Sequence, residues 1–175
     1  MDTRYLKQGN YVSLIASLII LAGLIMLEVK GISYALSLPF ITLMWVVWLL
    51  AIPSFLSYHL AKLERPWIMD YFAISAIVIT FAGLMLATFP KEFLGIEIIL
   101  VGYTLEPVAG ISIYLSTMKV DRTYSSLFFW GAVVFTAGLP LYLFNFGYIS
   151  VIGDVIKMVG IVGLLSIKRL NRGWI

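Results

Sequence analysis

The sequence predicts an all-α polytopic integral membrane protein. Six transmembrane helices form three tandem helical hairpins with both termini inside, and three features carry this expectation: composition, the spacing of apolar runs, and a basic-aromatic motif written three times. Of 175 residues, 62% are apolar and 12% charged, with a mean hydropathy of +1.02. Soluble domains are roughly 45–50% apolar and roughly 25% charged. A bilayer core about 30 Å thick takes about 20 apolar residues per helix, so the chain has room for six spans and no soluble domain. Residues 1–175 are read as a single transmembrane domain.

The elements follow in order. The segment "MDTRYLKQGN" precedes a long apolar run with no small-residue cleavage site, which predicts a retained first helix rather than a signal peptide. Apolar runs of spanning length lie at about 11–28, 34–57, 68–88, 93–117, 126–146 and 148–167. Short connectors separate them: "EVKGIS", "YHLAKLERPW", "FPKE", "MKVDRTYSS" and a tight "NFGY". Backbone polar groups inside a bilayer must be satisfied within the segment, and helices do this span by span.

"KLERPW" at 62–67 returns as "KVDRTY" at 119–124 and "RLNRGW" at 169–174. Upstream of each copy, an odd-numbered helix carries "AGL" at 22–24, 82–84 and 137–139, with Ala16, Ala76 or Gly131 six residues before its alanine. An internal period of this size signals repeat architecture and divides the chain into hairpins of about 1–67, 68–124 and 125–175. Membrane helices associate by packing at small residues, which predicts that the odd helices line the inner seam of the bundle.

Orientation follows from basic residues. Arg4, Lys7, Lys62, Arg65, Lys119, Arg122, Lys168, Arg169 and Arg172 fall on the side of the N-terminus, and only Lys30 and Lys91 fall on the other. This bias predicts both termini in the cytoplasm and a location in the cell membrane. The corners Arg65 with Trp67, Arg122 with Tyr124, and Arg172 with Trp174 then meet the cytoplasmic headgroup layer, where basic residues attract anionic lipid. The alternative role for these arginines is a cytoplasmic partner or anion site.

Charged groups within spans are costly and call for a partner or a purpose. Glu106 lies 13 residues before Lys119, and Lys157 lies 12 before Arg169, so the two share a depth and meet if helices four and six are neighbours. Asp154, three residues before Lys157, sits on the same helix face. Glu106, Asp154 and Lys157 therefore make a candidate intramembrane triad with more acid than base. It reads either as an ion pair locking two helices or as a proton- or cation-responsive site. Pro107 follows Glu106 within "GYTLEPVAG" and predicts a kinked or locally opened fourth helix. Glu97, one turn from the outer end, reads as an interface residue, as does His59 at the inner end of helix two.

The chemistry is bounded from the other side as well. There is no cysteine and one histidine, so thiolate catalysis, disulfides and transition-metal sites are not expected, and no cofactor is implied. No His-Glu-x-x-His, Gly-x-Ser-x-Gly or phosphate-loop pattern occurs, and an enzyme is not expected. Nor is nucleic-acid binding, since the net charge of +3 is distributed by topology. The expected function is a non-catalytic membrane module: a subunit of a larger complex, or a sensor or assembly domain with protein partners. The alternative is a small-solute or ion transporter or channel using the carboxylate of Glu106.

Overall fold

The computed structural model describes residues 1–90 and 92–167. The six main helices are α1 (Thr3–Lys30), α2 (Leu38–Leu60), α3 (Pro66–Thr88), α4 (Phe93–Thr117), α5 (Arg122–Gly138) and α6 (Tyr148–Ser166). A 3₁₀ turn, Ile32–Leu36, joins α1 to α2, and a second, Leu139–Phe144, prolongs α5. No strand occurs among the described residues. All six spans are long and apolar enough to cross a membrane, the fifth counted through Phe144.

Most boundaries lie close to the ends of the apolar runs, but α1 does not. It begins at Thr3 instead of near residue 11, because the Asp2 carboxylate accepts a hydrogen bond from the Arg4 amide at 2.9 Å and caps the helix. Such a cap is worth about 1 kcal/mol. The Asp2 amide also donates to the Ala61 carbonyl at 2.7 Å, tying the start of α1 to the α2–α3 turn. Leu6, Gly9 and Asn10 are thereby drawn into the bundle as buried helical residues.

The helices pair as α1 with α2, α3 with α4, and α5 with α6, and the pairs touch one another less extensively. The pairs close into a ring, since α2 meets α3, α4 meets α5, and α6 returns to α1. Glycine sets the closeness within pairs. A Cβ on Gly83 would lie 2.7 Å from the Gly95 carbonyl oxygen, and one on Gly138 would lie 2.5 Å from the Ser150 amide. Gly131, Gly153 and Gly160 bring the backbones of α5 and α6 together in the same way, against Lys157, Phe135 and Phe128. Gly23 faces Leu43 and Phe40 of α2. The glycines of the odd helices thus serve contacts within each pair, whereas Ala16 and Ala76 face the centre of the ring. The expected inner seam is corrected in part: small residues of α1 and α3 line the centre, but the centre is a cavity reached by all six helices and not a packed seam.

Two buried apolar clusters stand at the ends of the ring. One gathers Leu24, Leu27, Phe40, Leu84, Phe135 and Tyr142 toward the 3₁₀ turns. The other gathers Leu6, Tyr58, Met69, Ile113, Phe128 and Ile161 toward the basic connectors. The cavity and the charged triad lie between them.

Candidate functional site

Glu106 and Lys157 project into the cavity, of about 180 Å³, from opposite sides of α5. Glu106 shares a face of α4 with Gly102, Ala109, Gly110 and Ile113, all on the cavity wall. Lys157 points inward from α6, where the backbone of Gly131 on α5 packs directly against it. The Lys157 Nζ lies 3.0 Å from Asp154 Oδ1 and 3.4 Å from Glu106 Oε1. It also stands 4.4 Å from the centroid of the Phe135 ring. The three predicted charged residues therefore meet, and they do so although α4 and α6 are not neighbours. The contact runs through the hollow centre of the ring, bypassing α5.

Burial divides the triad. The side chains of Asp154 and Lys157 are 0% and 3% exposed, while that of Glu106 is 41% exposed. Both Asp154 oxygens are buried without a hydrogen bond of good geometry, so the nearby ammonium holds the carboxylate mainly by charge. Asp154 and Lys157 form a tight buried pair, and Glu106 is its half-exposed third member. Two carboxylates face one ammonium.

Pro107 is buried within α4, which is helical on both sides of it. The locally opened fourth helix expected at this position is corrected to a helix that runs unbroken from Phe93 to Thr117. Proline removes a single backbone bond, and neighbouring turns carry the helix past it. Glu97 is exposed and lines a second, smaller cavity of about 80 Å³ toward the 3₁₀ turns. Tyr103 borders both cavities.

Sequence reasoning missed a polar chain on α1 and α2. Tyr58 donates from its hydroxyl to Asn10 Oδ1 at 2.9 Å, and Ser13 Oγ lies 3.1 Å from the Tyr58 hydroxyl and 2.9 Å from Ser54 Oγ. The Asn10 amide nitrogen is buried and unpartnered. Asn10, Ser13 and Ser17 follow one face of α1 at spacings of three and four, a signal present in the sequence. An apolar run starting near residue 11 leaves Asn10 outside the first helix, and Ser13 and Ser17 alone are unremarkable in a membrane span.

The basic corners differ in geometry. In the first copy Lys62 and Arg65 adopt left-handed backbone angles, with φ of 51° and 49°. Ser112 donates to the Arg65 carbonyl at 3.0 Å, the Glu64 amide donates to Ser116 Oγ at 2.8 Å, and Lys119 pairs with Glu64. In the second copy Asp121 caps α5 by accepting from the Tyr124 amide at 2.9 Å. Arg65, Trp67 and Arg122 are exposed, whereas the Tyr124 ring also covers Gly163 of α6. Arg172 and Trp174 of the third copy lie outside the described residues. His59 pairs with Asp70 at 2.7 Å between α2 and α3. Among the described residues no three His, Cys, Asp or Glu side chains converge as metal ligands do.

Comparison with known proteins finds no similarity: no family model, curated protein or solved structure matches the chain.

Proposed function

We propose that the chain is a small-solute or ion transporter of the cell membrane, with the central cavity as its site and Glu106 as its working carboxylate. The observation that carries this reading is a half-exposed carboxylate facing a central cavity that all six helices line. Ionisable groups placed so inside a membrane protein mark substrate or ion paths. Buried apolar clusters on both sides of the cavity suit a site that opens to one face at a time. In this proposal the chain is a triplicated hairpin with both termini cytoplasmic, its Lys and Arg corners resting on anionic headgroups. The three helix pairs and the glycine of each "AGL" at a pair interface support the triplication.

The test is flux of protons or small cations in reconstituted vesicles, with wild type beside Glu106→Gln. Flux is expected in wild type and its loss in the variant; equal flux in both rules out the role of this carboxylate.

A second reading is the non-catalytic module gripped by a partner protein, favoured by the exposure of Arg65, Trp67 and Arg122 at the basic end. It requires a stoichiometric companion after gentle solubilisation from the native membrane. Isolation of the chain alone under those conditions removes it.

A further inference from the structure

Resting on the reading of the cavity as a solute site, we infer that its ligand is an apolar organic monocation, such as a substituted ammonium. The charge count sets the sign. Lys157 lies 3.0 Å from Asp154, donates a hydrogen bond to Glu106 and stands 4.4 Å from the Phe135 ring, so its ammonium offers little to an incoming anion. Among the described residues only Oε1 of Glu106 has a protein partner, and that contact is the longer one at 3.4 Å. Two carboxylates share this one ammonium, and of the two carboxylates it is Glu106 that lines the cavity, beside Lys157.

The wall sets the ligand's character. Trp48, Phe55, Tyr58, Tyr103, Phe128 and Phe129 line the cavity, and aromatic faces attract cations within about 6 Å of the ring centroid. The Trp48 indole is held in place by its donation to the Ile77 carbonyl at 2.9 Å. A hard divalent cation fits poorly, because calcium takes about six to eight oxygen ligands. The wall offers one free carboxylate and a few hydroxyls, several already hydrogen-bonded. A cation whose charge is shielded by carbon loses less hydration on entry and meets both the carboxylate and the rings.

The experiment measures equilibrium binding of radiolabelled benzyltrimethylammonium to the full chain in zwitterionic lipid nanodiscs, with empty nanodiscs as background. Wild type is expected to bind it saturably, and phenylacetate is expected not to compete. Glu106→Gln is expected to weaken binding about tenfold or more, the scale of one lost charge contact. Glu106→Asp, which keeps the charge, should retain most of it. Ala51→Phe, which fills the cavity and alters no charge, should abolish it. Each variant counts once its helicity and monodisperse elution match wild type.

No saturable binding by wild type, undiminished binding by folded Glu106→Gln, or competition by phenylacetate would overturn the inference. Binding that depends on Glu106 without any flux in vesicles sinks the transport reading alone. Proton flux that depends on Glu106 without binding of this cation sinks the monocation alone.

Discussion

Lys157 holds the triad together, because its ammonium lies 3.0 Å from the fully buried Asp154 and 3.4 Å from Glu106. Removing one partner of a buried pair costs about 3–5 kcal/mol, since the other charge is left uncompensated. Lys157→Met should therefore destabilise the protein strongly, and Lys157→Met with Asp154→Asn should recover most of the loss. Thermal unfolding followed by size-exclusion chromatography reads both; a double variant no better than the single would contradict the pairing. Glu106→Gln should cost less than Lys157→Met, since that side chain is 41% exposed. A reciprocal charge swap of Glu106 and Lys157 is a poor test of their contact. It would set a glutamate at 157 beside Asp154, three residues away on the same helix. Spacing made the shared depth of Glu106 and Lys157 legible. It did not reveal that Asp154 is fully buried while Glu106 is half-exposed, because exposure is a property of the assembled bundle.

At the scale of elements, glycine fixes how near the paired helices come. A side chain at Gly131 would strike the backbone of Lys157, where no rotamer change gives relief. Gly131→Val should cost about 1–3 kcal/mol or more and displace Lys157 itself. Gly110→Ala should be tolerated, because its new Cβ would meet only Phe128 Cε1 at 3.8 Å. Comparing the folded yields of these two variants checks the assignment; equal loss would mean that glycine acts through something other than close approach. The "AGL" signal was visible in the sequence as a small-residue stripe, but its target was not. Seam and pair interface use the same residue types, and only the ring separates them. Pro107 teaches a related lesson, since a proline written beside a carboxylate resembled a helix break and lies inside a continuous helix.

At the scale of the whole molecule, the ring creates the site, since six helices closed in a circle, with α4 and α6 held apart, leave room for side chains to meet in the middle. The proposed orientation has a direct test, helped by the absence of cysteine. Ser33 and Thr123 are exposed at opposite ends of the bundle. On intact cells, Ser33→Cys should react with a membrane-impermeant maleimide, and Thr123→Cys should react only after lysis. The reverse pattern would invert the topology and move the basic corners outside.

The sequence by itself determined the helical class and the number of spans, because hydrocarbon leaves the backbone no alternative to helices and their lengths follow from bilayer thickness. It also determined which charged residues share a depth, since rise per residue is constant along a helix. Tertiary structure alone decided the order of helices around the ring, the hollow at its centre and the unequal burial of the three charges. Those depend on contacts between residues distant in the chain, such as Gly131 against Lys157, and a one-dimensional pattern does not record which helix faces which.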